Sequence, residues 1–379
     1  MYAMMVVPSD FPNGDAGAVR DIAFAKMYQQ LGYEVILVGA GKKDTCGSFQ
    51  GVTFYSVYEE KKGIQGQLYR FIMYPQKYMA VIQSVINKKG SPALIHINDI
   101  AARVIHRLHQ YSVKRKIPML HDSTEWYSPC EFKMGRLDKA YLLKDRLNKR
   151  VIQNPMKVIG ISSYLTDHFS SRGLDALRIP VITDVVNTPT GKHGGSVIRL
   201  IYAGSPAGKD YVKESIQGFG LLTAEEQSKF EYHLYGIHRD QLKQLLGSDT
   251  LPEKIVAHGR VERTVVEQAL LDSDFSVLLR PDRERYTKAG FPTKSVEAMA
   301  HGVAMLCNIT SDLGLYLEHG SNAVVCSGYT PKDFARALRY TLTMDREQIN
   351  TMKEKARETA DRYFDYRLWA QSLGDFIRG

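Results

Sequence analysis

Only four cysteines occur in 379 residues (Cys46, Cys130, Cys307 and Cys326), far apart and with no CxxC pair. A zinc ribbon needs paired thiolates and a disulfide framework needs dense ones; the pattern argues against both, and a reducing cytosol is the expected setting. No apolar run approaches the roughly 18 residues that a spanning helix requires, and residues 1–7 have neither the basic flank nor the length of a signal peptide. Neither insertion nor export is expected. A GxGxxG fingerprint, short-period repeats and low-complexity tracts are also missing. The first of these absences argues against a nicotinamide-dependent oxidoreductase. What is present is an ordinary folded composition, 44% hydrophobic and 24% charged, at a length that suits two domains.

The net charge is +9 and all of it lies in the first half: residues 1–184 hold 25 Lys and Arg against 16 Asp and Glu, while the remainder balances at 25 each. Residues 101–150 alone carry 12 basic and 5 acidic side chains. That field favours anionic partners: phosphorylated substrates, lipid headgroups or nucleic acid.

Short apolar runs alternate with amphipathic stretches from end to end, the pattern of an α/β fold with parallel sheets covered by helices. Residues 2–7, 34–38, 93–97, 117–120 and 158–161 read as strands of a first domain, 1–184, and 18–31 as a helix stopped by Gly32. Turn formers without periodicity fill 185–197, an expected linker and hinge. A second alternation follows over 198–357, so two doubly wound halves are expected to face each other across a cleft. Residues 363–377 present Phe364, Leu368, Trp369, Leu373 and Phe376 as one apolar stripe of a tail helix.

Ligands collect at the carboxyl ends of strands in open α/β sheets. The first such loop, 12–17, contains Gly14 and Gly17 and leads into a helix, where backbone N–H groups can approach an anion. A bare tight turn explains those glycines equally well. The strongest local signal is 289–302, Ala-Gly-Phe-Pro-Thr-Lys-Ser-Val-Glu-Ala-Met-Ala-His-Gly. Here Gly290, Phe291 and Pro292 lead to Thr293 as an expected N-cap, with Lys294 and Ser295 in the first turn and Glu297 one turn in. The set suits a phosphate beside a hydroxylated ring: N–H groups and Lys294 neutralise the anion, and Glu297 accepts from two adjacent ribose hydroxyls. Glu297 lies four residues after Thr293 rather than three, which fits a simple capping box poorly. Asp272-Ser273-Asp274 spells a DxD, but it precedes an apolar run instead of following one, so no metal site is read there.

From this motif onward the chain resembles a retaining glycosyltransferase of the GT-B fold, similar to glycosyltransferase family 4. Members carry a glutamate, seven residues, then a second glutamate followed by Ala-Met-Ala-x-Gly; the second falls on Glu297, while the first falls on Ala289. A contact of that first carboxylate with the donor sugar is then missing or supplied by the backbone or by Arg280, Arg283 or Glu284. The Gly-Phe-Pro-Thr-Lys loop is similar to a subgroup that assembles surface polysaccharides.

The resemblance spans nearly the whole chain. It implies a phosphate-gripping Lys209 after the strand 198–203, with Ser205 where an arginine is often found. It also implies a base-reading turn at Arg260 and Val261, with Tyr235 beside it. His121 matches a histidine that faces the donor sugar, with Asp122 and Glu125 orienting it or binding acceptor hydroxyls and Trp126 offering a face to a sugar ring. His96–Asp99 forms a second polar cluster at a strand end.

The implied activity transfers a sugar from a nucleotide-diphosphate sugar, a UDP-sugar favoured, to a hydroxyl of a glycan or lipid-linked glycan, with retention and without metal or other cofactor. The implied catalytic set is His121, Asp122, Lys209 and Lys294. The tail, 358–379, is expected to return to the first domain. Lys114, Arg115, Lys116 and the run 139–150, with the aromatic stretch 69–78, suit an anionic membrane at the cytoplasmic face. Two rivals stay open: a GT-B protein that lost activity through Ala289 and only binds or scaffolds, and a basic nucleic-acid-binding protein. The second should interleave aromatics with basics on one exposed face and lack nucleotide-sugar loops, so nucleic acid is not an expected partner.

Overall fold

The computed structural model of the chain describes residues 1–12, 16–58, 74–191, 194–205, 208–248 and 250–379. It divides into two units, Met1–Thr183 with Tyr366–Gly379, and Asp184–Asp365.

The first unit holds an eight-stranded sheet: β1 (Tyr2–Asp10), β2 (Glu34–Gly41), β3 (Thr45–Phe49), β4 (Val52–Tyr58), β5 (Leu94–Ile97), β6 (Met119–Ser123), β7 (Lys157–Gly160) and β8 (Ala176–Arg178), in the order β3-β4-β2-β1-β5-β6-β7-β8. All pairs are parallel except β3 with β4. Strand β1 is the central rod: Ala3 to Val7 are fully buried, as a strand covered on both faces requires. The β3–β4 hairpin has no counterpart in the sequence reading. Its turn is Gln50-Gly51, with φ of 48° and 78°, and Gln is a weaker turn signal at such a position than Asn or Asp.

The second unit holds six parallel strands: β9 (Ile198–Ala203), β10 (Phe230–Tyr235), β11 (Ile255–Gly259), β12 (Phe275–Leu278), β13 (Ala304–Asn308) and β14 (Ala323–Cys326), in the order β11-β10-β9-β12-β13-β14. The winding reverses between β9 and β12. That is the switch point at which the carboxyl ends of two neighbouring strands open a crevice.

Two boundaries differ from expectation. The expected linker, whose residues 192 and 193 lie outside the described ones, packs onto the second unit: Arg357 donates to the carbonyls of Val185 (2.9 Å) and Thr188 (2.8 Å). The tail helix does not begin at 358. An 18-residue helix, Arg346–Tyr363, stays with the second unit, and the return to the first starts at Tyr366, whose N–H donates to Thr183 O (3.1 Å). The expected stripe is thereby split. Phe364 packs on Tyr316 and Phe291 in the second unit, Leu373 enters the core around Phe24, Met27 and Tyr28 in the first with Trp369 and Phe376 against it, and Leu368 is exposed. The chain turns at Asp365, whose carboxylate accepts from Val186 N–H (3.1 Å), so no single helical face survives.

Candidate functional site

In the second unit the switch point gathers charge. Tyr202 lies in β9, Asp210 in the loop that follows it, Arg280 just past β12, and Lys294 in the first turn of the helix Thr293–Ala300. Asp210 is the hub. It accepts from Tyr202 Oη (2.8 Å), Arg280 Nε (2.6 Å) and Lys294 Nζ, with its side chain 3% exposed. The Lys294 ammonium also lies 4.2 Å from the Tyr202 ring centroid. Burial opposes the ionisation of Asp210, but Lys294 and Arg280 outweigh it and hold the carboxyl below its usual range. Burial pulls the Lys294 ammonium down, and Asp210 opposes that pull.

Two glycines make the approach possible. Gly204 has φ 144°, and a Cβ there would sit 2.8 Å from Lys294 Nζ; Gly236 has φ 91°, and a Cβ there would sit 2.6 Å from Gly204 O. Backbone bonds lace the three loops together: Gly204 N–H to Tyr235 O (3.0 Å) and Gly236 N–H to Gly259 O (2.7 Å). Arg280 is held from β13, because its N–H donates to Asn308 Oδ1 (2.9 Å) and its carbonyl accepts from Asn308 Nδ2 (2.8 Å).

The other expected residues of this unit fall around that corner. Lys209 is half-buried with its ammonium 5.8 Å from the Tyr286 ring, and Ser205 is exposed. Tyr235 stacks on His258 (4.2 Å, 4° between planes), and Arg260 and Val261 are exposed just past β11. Glu297 is half-exposed, 3.9 Å from Arg263; its packed surroundings raise its carboxyl above the usual range, against the pull of Arg263 and Lys294. Thr293 is a correction: it is the first helical residue, Pro292 occupies the cap, and no side chain caps the helix. Phe291 and Pro292 are buried, Phe291 with its ring against Tyr316 (5.8 Å), and Gly290 N–H donates to Tyr286 O (3.0 Å). Ser295 Oγ is buried with no hydrogen-bond partner. Ala289 is fully buried at the end of the short helix Arg285–Ala289.

Asp272 and Asp274 flank a helix end. Asp272 caps the helix Arg263–Leu271, and Asp274, buried ahead of β12, accepts from Arg346 Nη1 (2.6 Å) and Arg199 N–H (2.9 Å).

In the first unit His121 and Asp122 part company. Successive residues of a strand point to opposite faces. On β6, His121 Nε2 lies 3.3 Å from Asp99 Oδ1, whereas Asp122 takes both forks of Arg20 at 2.8 Å on the other face. Asp122 therefore neither orients His121 nor meets an acceptor: it is fully buried and Arg20 occupies both its oxygens. Asp99, from the second polar cluster, does the orienting. Burial opposes its charge, but Lys144 and His121 lower its carboxyl to about 2. His121 Nδ1 is buried with no hydrogen-bond partner. Trp126 is also a correction: it is buried, its Nε1 donates to Asp145 Oδ1 (3.0 Å), and its ring packs on His168 (4.3 Å) instead of facing outward. His96 is a core residue bonded to Tyr28 Oη (2.7 Å), and burial lowers its pKa to about 4. Gly14 lies outside the described residues, and Gly17 belongs to the helix Ala16–Gln30 rather than to the loop before it.

Residues 192–359 match the family model described as glycosyl transferases group 1. That match lies within the second unit. The whole chain adopts the GT-B α/β fold, as its structural neighbours show. HepE from Anabaena, solved with UDP and glucose, aligns over 100% of both chains at 16% identity with a TM-score of 0.71. Sucrose-phosphate synthase from Thermosynechococcus elongatus aligns over 100% of this chain and 98% of its own at 13% identity and 0.73. WaaG, a glycosyltransferase involved in lipopolysaccharide biosynthesis, aligns over 100% of both at 14% and 0.67. A search of curated proteins finds no match. Within the second unit, the residue that sequence reasoning missed is Asp210. A carboxylate directly after Lys209 was the available signal, and only the strand order reveals which cations it meets.

Proposed function

We propose that the chain transfers a sugar from a nucleotide-diphosphate sugar, UDP-linked by preference, to a hydroxyl of a glycan or lipid-linked glycan, with retention at the anomeric carbon and without metal. The observation that carries this is the convergence of Arg280 and Lys294 on Asp210 at the carboxyl ends of β9 and β12, with Lys209 directly before Asp210 in the chain. Fixed cations and a helix N-terminus in one buried corner stabilise a departing diphosphate at little reorganisation cost. In this reading Glu297 accepts from the ribose hydroxyls, and Tyr235, Arg260 and Val261 line the base. The acceptor oxygen bonds to the anomeric carbon on the face from which the diphosphate leaves, and the acceptor proton passes to a diphosphate oxygen. UDP is favoured by the complex known for HepE, and a surface-glycan acceptor by the process named for WaaG.

No described helix is long and apolar enough to cross a membrane. Cytoplasmic residence at an anionic membrane surface is supported by the first unit, where Met134, Leu137, Leu142 and Leu143 are exposed among the exposed Lys139 and Arg146. Flotation with vesicles containing phosphatidylglycerol tests this; protein left at the bottom of the gradient overturns it.

The donor reading is tested by thermal stabilisation with UDP, GDP, ADP, dTDP and their sugar conjugates. A ligand at a hundred times its Kd adds about 2.7 kcal/mol. The expected outcome is a rise with UDP and UDP-sugars that Glu297→Ala removes; no rise with any nucleotide overturns the reading. Product stereochemistry by NMR and turnover in EDTA test retention and metal independence. A second reading, a nucleotide-sugar binder without turnover, is favoured by the buried Ala289 and is separated from the first by binding without product.

A further inference from the structure

The strongest donors at the switch point are already committed. Arg280 Nε and Lys294 Nζ, the two cations that the donor reading assigns to a diphosphate, both bond to Asp210, and Tyr202 Oη closes a third side of the same carboxylate. Ser205, just past β9, is exposed and brings no charge, whereas Arg280 from beyond β12 does. Two cations buried side by side without an anion repel each other and lose hydration. Asp210 removes that cost and leaves the cluster with one excess positive charge.

A carboxylate and a phosphate offer the same kind of oxygen to a guanidinium or an ammonium. An entering diphosphate must therefore share or take over the two cations while lying beside a negative charge. We infer that Asp210 is an internal stand-in for the donor's phosphate, which holds Arg280 and Lys294 in place and weakens their grip on the diphosphate so that the spent nucleotide leaves. This rests on the donor site proposed above. It makes Asp210 a positioning residue with a specific electrostatic signature: its charge opposes ligand binding, whereas a merely structural carboxylate would support it.

The test is calorimetric titration with inorganic pyrophosphate, which isolates the diphosphate from base and sugar. Asp210→Asn keeps the shape and removes the charge, and it is expected to bind pyrophosphate at least tenfold tighter than the wild type at low salt, with the gain shrinking as salt rises. Asp210→Glu, which keeps the charge, is expected to stay within threefold of the wild type. Asp210→Ser, a smaller and uncharged acceptor, carries the test if Asp210→Asn does not fold; it too is expected to bind pyrophosphate at least tenfold tighter than the wild type. Pyrophosphate binding to Asp210→Asn or Asp210→Ser that is equal to or weaker than wild type overturns the inference. Pyrophosphate behaving as described while no nucleotide stabilises the protein leaves this inference standing and removes the donor reading instead.

Discussion

Replacing Asp122 with alanine separates a structural carboxylate from a catalytic one. Asp122 is fully buried and receives Arg20 Nε and Nη2, each at 2.8 Å, while the same guanidinium donates to the carbonyls of Pro180 and Ile179. Removing one partner of such a pair leaves an uncompensated buried charge, at a cost of about 3–5 kcal/mol. The two carbonyls remain to Arg20, which puts the expectation near the lower end, about 3 kcal/mol. Both tryptophans, Trp126 and Trp369, lie in the first unit, so tryptophan fluorescence during urea unfolding follows that unit alone. With a denaturant slope of roughly 2–3 kcal/mol/M, the midpoint should fall by about 1 M. Replacing both partners, Arg20→Met with Asp122→Leu, should recover most of the loss, because apolar groups of similar volume carry no desolvation cost. The reasoning is refuted by a loss under about 1 kcal/mol for Asp122→Ala, or by a double variant as damaged as the single one.

Lys294→Met, which keeps the stem length, removes a charge-assisted bond and should weaken UDP binding by about 1.5–3 kcal/mol, roughly 10–150-fold by calorimetry; unchanged affinity would place the diphosphate elsewhere. Gly204→Ala puts a Cβ at φ 144°, 2.8 Å from Lys294 Nζ, and should cost about 1–3 kcal/mol in thermal unfolding together with a loss of nucleotide binding. A tolerant site with both properties intact would show that Lys294 does not need that approach. His96 titrates near 4 in the folded state against 6.5 when unfolded, so its neutral burial contributes fully above pH 6.5, and that stability is lost as pH falls from 6.5 towards 4. At 1.36 kcal/mol per unit the limb amounts to about 3 kcal/mol, and His96→Asn should flatten it in pH-dependent urea titrations, whatever its effect at pH 8.

Much of the second unit was legible in the chain. The strand read over 198–203 is β9 residue for residue, and the loop 289–302 does lead into a helix that carries Lys294 and Glu297. These signals are local: apolar runs, glycines at turns, and polar residues directly after a strand. The first unit was less legible where the question was direction. His121 and Asp122 were grouped because they are adjacent in sequence, yet adjacency in a strand places them on opposite faces, and their partners Asp99 and Arg20 lie 22 and 102 residues away. Trp126 likewise looked like a platform until the contacts with Asp145 and His168 enclosed it.

What the sequence determined by itself is the alternation of elements, the loop chemistry at strand ends and the one-sided positive charge. Each follows from residues within a few positions of one another, where backbone propensity and periodicity act. What only the tertiary structure decided is which of those loops meet. Asp210 joins Arg280 across 70 residues and Lys294 across 84 because β9 and β12 are neighbours in the sheet. Strand order is set by the burial of whole faces, so no local run of residues could announce that carboxylate between its two cations.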